Sequence, residues 1–176
     1  MNTFNKKVPL IGFSSSKTEN IVFLLYHQLT FALKVLKLYT GFQYNLLTSI
    51  AGIDHLHSKH RFCVAYDLLS LTYNTRLRVK IFINEIAVIA SLETIFINAN
   101  WWEREIWDFF GLYFKNHSDL RRILTDYGFE GFPMRKDFPL AGFVEVRFNQ
   151  TKKQVVLTKV ELAQAKRSFV YEAHWS

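Results

Sequence analysis

The sequence predicts an α+β fold, a small antiparallel or mixed sheet packed with helices and followed by an extended C-terminal arm. Three observations carry this. Residues 75–83, TRLRVKIFI, alternate strictly, with Leu77, Val79, Ile81 and Ile83 on one face and Arg76, Arg78 and Lys80 on the other, the period of a half-buried strand. Residues 21–39 and 101–110 carry apolar side chains at helical spacing instead. Beyond Gly111 the chain is punctuated by Gly128, Gly131, Pro133 and Pro139, which mark extended, turning backbone. The expected division is therefore a domain over residues 1–111 and an arm over residues 112–176.

Composition narrows the class. A length of 176 residues suits one domain, and 49% hydrophobic with 16% aromatic residues excludes global disorder. Seven glycines and three prolines are too few for a linker-rich chain. The net charge of +7 favours polyanions, acidic protein faces or an anionic membrane surface without choosing among them. Cys63 is the single cysteine, so an intramolecular disulfide and a cysteine-ligated cluster held by this chain alone are both excluded. Its apolar context, RFCVAYDLL, predicts a small packed residue in a reducing compartment. The opening MNTFNKKVPL lacks the character of a transit peptide, so the chain is expected to work where it is made or to have lost its targeting segment. Abundant Phe, Lys, Asn, Ile and Tyr with scarce Gly and Pro fit an AT-rich coding sequence, hence organellar synthesis.

In chain order, residues 21–39 approach the length of a membrane span. His27, Thr30, Lys34 and Lys37 draw one solvated stripe down them, so a core-packed amphipathic helix is expected, with Ser16 and Glu19 as its capping box. After Gly41, FQYNLLTSIAGID reads as a strand ending in a turn. Asp54, His55, His57 and His60 then crowd one loop; their ligand types suit zinc, but their spacing marks no metal motif, and a polar loop is preferred. Residues 61–69 and 75–83 form a hairpin through LTYN, and residues 86–92 a third strand completing the sheet. The basic stripe of the hairpin could track a nucleic-acid backbone, with Tyr or Phe to stack bases, but without an RNP-like aromatic pair or a recognised DNA-reading motif it reads as the polar face of a half-buried sheet.

The densest stretch is residues 101–147. Asn100 is the expected N-cap and Glu103 its reciprocal partner for a helix over 101–110, with Gly111 as a left-handed stop. A helical wheel places Trp102, Ile106, Phe109 and Phe110 on the packed side and Arg104, Glu105 and Asp108 outward. Glu103, Glu105 and Asp108 as acid–base catalysts are disfavoured, because Glu103 has a cap to make and Arg104 stands four residues before Asp108 as an ion-pair partner. Ser118 is expected to cap a short helix, DLRRIL. Beyond it, charges among Tyr127, Phe129, Phe132 and Phe138 have the composition of a protein interface. The tail over 150–176, with Lys152, Lys153, Lys159, Lys166 and Arg167, has too little core to stand alone and is expected to dock on neighbours.

NWWEREIWDFFGLYF, HSDLRRILTDYGFEGFPMRKDFPLAGFVEVRF and ELAQAKRSFVYEAHW, with RFCVAYDLLSLTYNTRLRVK upstream, closely resemble the family of the thirty-kilodalton subunit of respiratory complex I, also called subunit nine. The resemblance runs from about residue 21 onward, and the wording TDYGFEGFPMRKDFP looks mitochondrial or proteobacterial rather than like the chloroplast relative. Ser118 stands where the family usually has proline, Met134 where leucine is usual, and the histidine loop replaces a proline-containing turn. The resemblance implies a non-catalytic scaffold and assembly subunit of the quinone-reducing module, part of an enzyme that passes electrons from NADH to ubiquinone and pumps protons. It implies partners in the quinone-site large subunit and the iron–sulfur subunits, with iron–sulfur clusters, FMN, NADH and ubiquinone all held by those partners. It implies a peripheral, matrix-side position on the mitochondrial inner membrane without a span, and mitochondrial encoding. The signature positions carried over are Glu103, Arg104, Glu105, Asp108, Gly111, Leu120, Arg121, Arg122, Gly128, Gly131, Pro133, Arg135, Lys136, Asp137 and Pro139, expected to fix the helix and anchor the following segment on partners. The alternative from composition is a free-standing basic RNA-binding module, whose binding would weaken steeply with salt.

Overall fold

A computed structural model describes Val8 and residues 11–15, 19–162, 164, 167 and 169. Ser16 of the expected capping box and Lys166 of the tail lie outside the described residues. Two compact units divide between Phe138 and Pro139, whereas the sequence pattern divides the chain after Gly111. The shift has a physical reason: residues 112–138 fasten themselves to the helix that Gly111 ends.

The first unit is built on a five-stranded mixed sheet in the order β1-β2-β5-β4-β3. Its strands are β1 (Gly12–Ser15), β2 (Asn20–Leu24), β3 (Leu46–Asp54), β4 (Phe62–Ser70) and β5 (Thr75–Ile83). β4 and β5 form the expected hairpin, β3 adds antiparallel to β4, and β2 pairs parallel with β5. The single helix expected over residues 21–39 is corrected. Residues 20–24 are strand β2, residues Tyr26–Gln28 make one 3-10 turn, and only Leu29–Leu38 form helix α1. The cause is local: Val22 and Leu24 alternate into the core, which a strand satisfies, whereas Leu29, Ala32, Leu33 and Leu36 fall on one helical face. Among the described residues no helix is long and apolar enough to cross a membrane.

The third strand is also corrected. It shrinks to β6 (Val88–Ala90) and leaves the hairpin to pair in parallel with β7 (Tyr113–Lys115), just past the second helix. That helix, α2 (Ala99–Phe110), begins after Asn98, whose side chain makes no capping bond and instead donates to the Leu47 carbonyl at 2.6 Å. Ile106 and Phe110 join Leu29, Leu33, Leu36, Val64, Tyr66 and Val79 in one core on the inner face of the sheet. Gly52 of β3 makes that approach possible: a Cβ there would lie 2.6 Å from the Phe110 ring. Cys63 is buried, as its context predicts.

The second unit contains the hairpin β8 (Val144–Asn149) and β9 (Gln154–Lys159), antiparallel with Val146 opposite Leu157 and Phe148 opposite Val155. Its alternation resembles that of β5, but no helix lies over its apolar side among the described residues of the unit. Val144, Val146, Phe148, Val155 and Leu157 share that side and are 54–70% exposed.

Candidate functional site

An α-helix ends with four carbonyls that lack intrahelical donors, and the C-terminal end of α2 recruits all four donors from the chain that follows. The Trp107 carbonyl accepts the Gly111 N–H at 2.9 Å, with Gly111 in the left-handed conformation at φ 72°. The Asp108 carbonyl accepts Arg122 Nη1 at 3.2 Å, the Phe109 carbonyl the Met134 N–H at 3.2 Å, and the Phe110 carbonyl Arg135 Nε at 2.8 Å. Residues 111, 122, 134 and 135 thus converge on one helix end.

The charged side chains complete the clamp, and the expected outward charged face is corrected. Glu103 and Asp108 are fully buried and Arg104 nearly so. The Asp108 carboxylate accepts Arg122 Nη1 at 3.0 Å, the Thr125 hydroxyl at 2.6 Å and the backbone N–H groups of Ile123, Leu124 and Thr125 at 2.8–3.2 Å. Those three N–H groups form a nest around the anion, so residues 119–124 are not the helix expected after Ser118. Burial pushes the Asp108 carboxyl up, but the Thr125 hydroxyl, the N–H donors and Arg122 together hold it below the usual carboxylate range. Arg122 also donates to the Gly131 carbonyl at 2.7 Å and lies over the rings of Phe132 and Phe129.

The pairing expected between Arg104 and Asp108 does not occur. Arg104 reaches Asp119 at 3.6 Å and lies over Trp101, with its Nε buried and without a hydrogen-bond partner among the described residues. Glu103 makes no cap; its oxygens accept the Ser91 hydroxyl at 2.6 Å and the Leu92 N–H at 2.7 Å, tying α2 to the segment after β6. Burial pushes the Glu103 carboxyl up despite those donors. His117 Nε2 sits 3.8 Å from Glu103 and 3.1 Å from the Asn100 carbonyl, while its Nδ1 accepts the Asp119 N–H, a set that the Nε2–H tautomer satisfies. Asn100, expected to cap, donates to Glu93 and to the Ser118 hydroxyl, and Ser118 in turn gives Glu93 both its N–H and its hydroxyl. These donors, the Ser118 N–H foremost, hold the Glu93 carboxyl below its ordinary range.

A second cluster fastens residues 135–137 to the β3–β4 loop. Arg61 grips Asp54 through Nε and Nη2, both at 3.0 Å, and reaches Asp137 at 2.9 Å. Asp54 also accepts the Lys136 N–H at 2.9 Å, and Arg135 pairs with Glu85 while covering the Phe62 and Phe132 rings. Burial pushes the Asp54 carboxyl up, but Arg61 and the Lys136 N–H outweigh it and hold the group low. Asp54 of the histidine loop is committed to Arg61, and among the described residues no three His, Cys, Asp or Glu side chains gather as a metal site. The basic stripe of β5 is divided too, since Arg78 pairs with Asp67 at 2.7 Å and Glu19 at 3.0 Å.

Of the remaining signature positions, Leu120 packs on the core, and Arg121 is exposed beside Asp119. Pro133 is half-buried and Gly128 exposed, while Pro139 is exposed and opens the second unit. Glu105 is half-buried on α2. Sequence reasoning missed Thr125, Glu93, Glu85, Arg61 and Gly52. Only Arg61 had a local signal, a lone guanidinium flanking the loop that starts at Asp54.

Two opposite pH dependences are built into this arrangement. Asp108, Asp54 and Glu93 have depressed values in the folded state, so their contribution is complete above the unfolded carboxylate range near ~4 and is lost as pH falls through the folded values. Glu103 is raised, so its contribution is present below that range and is lost as pH rises through its folded value. In Glu103→Gln the second loss should disappear while the acid-side loss stays, read as melting temperature against pH for both chains. An unchanged profile in the variant would refute the assignment.

Comparison with known proteins extends this geometry. The chain is 50% identical over 143 residues to "NADH-ubiquinone oxidoreductase subunit 9" of Reclinomonas americana, covering 81% of this chain and 70% of that one. It is 51% identical over 140 residues to "NADH dehydrogenase [ubiquinone] iron-sulfur protein 3" of Arabidopsis thaliana, covering 80% and 74%. A solved structure described as "Nqo5 of the trypsin-resistant fragment (1-134) in P63 form" superposes with a TM-score of 0.54 at 26% identity, over 62% of this chain and 89% of that one. An α+β domain of this topology with relatives of this kind is a subunit of a respiratory NADH:ubiquinone oxidoreductase. Residues 26–144 match the family described as "Respiratory-chain NADH dehydrogenase, 30 Kd subunit". The chain belongs to that family and is a subunit of respiratory complex I; the RNA-binding alternative finds no support.

Proposed function

We propose that this chain is a scaffold subunit of the peripheral arm, without a reacting group of its own, docking through its second unit on the quinone-site large subunit and the iron–sulfur subunits on the matrix side of the inner membrane. The observation that carries this is the β8–β9 hairpin, whose apolar side is more than half exposed at five positions. Soluble monomers rarely leave such a continuous apolar face open, and a partner surface is what it fits. The charged clusters on α2 support the same reading, because their carboxylates are committed to internal donors rather than to a substrate.

The name of the plant relatives includes an iron–sulfur protein, and the donor set here does not fit a cluster. Such clusters are held by about four cysteine thiolates, whereas Cys63 is the single cysteine and is buried in the sheet. In this reading, clusters, FMN, NADH and ubiquinone are bound by the partner subunits. Val146→Asp, or Leu157→Asp on the same face, should cut the amount of assembled complex on a native gel severalfold while leaving NADH:ubiquinone turnover per assembled complex unchanged. Normal assembly with reduced turnover would sink the scaffold reading and point to a direct part in quinone chemistry.

A further inference from the structure

The first turns of α2 carry an arginine that its own chain leaves unanswered. Arg104 is only 9% exposed, yet among the described residues none of its five N–H donors makes a hydrogen bond. Its one ion pair, to Asp119, is 3.6 Å long, beyond hydrogen-bond range, and the same Asp119 oxygen already accepts Arg121 Nε at 3.1 Å. One carboxylate therefore stands against two guanidiniums. A charged group this deeply buried is costly without acceptors, and native proteins leave few such groups unmet. Nε is sealed from solvent, but 11% of the side-chain surface stays open, and the Nη end that meets half-exposed Asp119 is the approach for an acceptor.

What adjoins Arg104 narrows the acceptor. Its guanidinium lies 5.2 Å from the Trp101 ring, and Trp101 is 64% exposed. Trp101 is also one wall of a cleft between the start of β3 and the turn ahead of α2, lined as well by Lys37, Leu46 and Ile97. Ile97 is 88% and Leu46 41% exposed. The charges of the cleft are spent: Lys37 donates to the Ile95 carbonyl and lies over the Phe96 ring, and Glu93 accepts from Asn100 and Ser118. Tryptophan and arginine are the residues that anchor protein interfaces, and a guanidinium fork matches the two oxygens of a carboxylate. A free phosphate or a polyanion would answer Arg104 and leave Trp101, Ile97 and Leu46 in water.

We propose that this surface is a docking site for an acidic segment of another subunit of the complex. One Asp or Glu of that segment completes the Arg104 guanidinium, and a neighbouring apolar side chain packs on Trp101 and Ile97 in the cleft. The site belongs to the first unit and requires only that the chain is part of the complex, so it stands or falls separately from the β8–β9 hairpin.

Two measurements test it. Arg104→Met keeps the length of the side chain and removes the donors. Because the free chain gives Arg104 no hydrogen bond, the melting temperature of the free variant should equal or exceed that of the parent, while its retention in the complex on a native gel should fall severalfold. Trp101→p-benzoylphenylalanine, irradiated in the intact complex, should couple to a segment of a different subunit that holds an Asp or Glu close to the coupled position. Replacing that acid with alanine should weaken retention by the same factor as Arg104→Met, and combining the two should cost nothing further. A lower melting temperature of free Arg104→Met would make the arginine an internal stabiliser and overturn the proposal. Unchanged retention, coupling to this chain or to lipid, a coupled segment without an acid, or additive losses in the combined variant would overturn it equally. If Arg104→Met assembles normally while the hairpin variants do not, this inference falls and the scaffold reading stands.

Discussion

Replacing Asp108 with alanine is expected to lower the stability of the chain by about 3–5 kcal/mol, the range for removing one member of a buried, hydrogen-bonded ion pair. The side chain is fully buried and accepts from Arg122, the Thr125 hydroxyl and three successive N–H groups. Alanine leaves the guanidinium and those N–H groups facing a void, and each unmet donor adds its own desolvation cost. For a chain of this length each kcal/mol moves the midpoint by about 2–4 °C, so thermal unfolding should drop by about 10 °C. Asp126→Ala is the control, because Asp126 is exposed and, among the described residues, its carboxylate accepts only from the neighbouring Tyr127 N–H, while its carbonyl bond to the Phe129 N–H survives the substitution; its change should stay within about 0.5 kcal/mol. Equal effects from the two substitutions would mean that the nest at Asp108 does not hold the segment.

Gly111→Val should cost about 3 kcal/mol by a different route. The residue sits at φ 72°, which a β-branched side chain adopts only with strain, and a Cβ there would lie 2.5 Å from the Phe132 ring. Phe132 is not free to step aside, since Trp107, Arg122 and Arg135 all rest on it. Trypsin should then cut the variant faster than the parent chain at Arg121, Arg122 and Arg135, because the segment they occupy loses its attachment to α2. Unchanged cleavage together with unchanged stability would refute the contact.

How much of this was legible depended on the distance between partners in the chain. The alternation of residues 75–83 and the turn after β4 are local patterns, and both appear as read. The run from Ile21 to Leu24 merges with the helix that follows because a short apolar run does not declare its period. The sharpest failure was at Arg104 and Asp108. Four-residue spacing on a helix suggests an ion pair, yet Asp108 takes its guanidinium from fourteen residues downstream. A wheel sorts side chains as if the charged side met water, and nothing local in α2 shows that residues 117–135 will cover it. Glu103 failed likewise, its capping pattern overruled by Ser91 and Leu92 across a buried interface. Gly111, whose role is set by its own backbone, read correctly.

The four carbonyls at the end of α2 also set a schedule for synthesis. Once Gly111 has emerged, the helix can close its own first carbonyl, but the donors for the others arrive with Arg122, Met134 and Arg135. At a translation rate of ~5–20 residues per second, those last donors trail Gly111 by about 1–5 s. During that interval the nascent domain carries an open helix end and an unsheltered carboxylate at Asp108. A chaperone, or a pause in elongation, would matter most in this window.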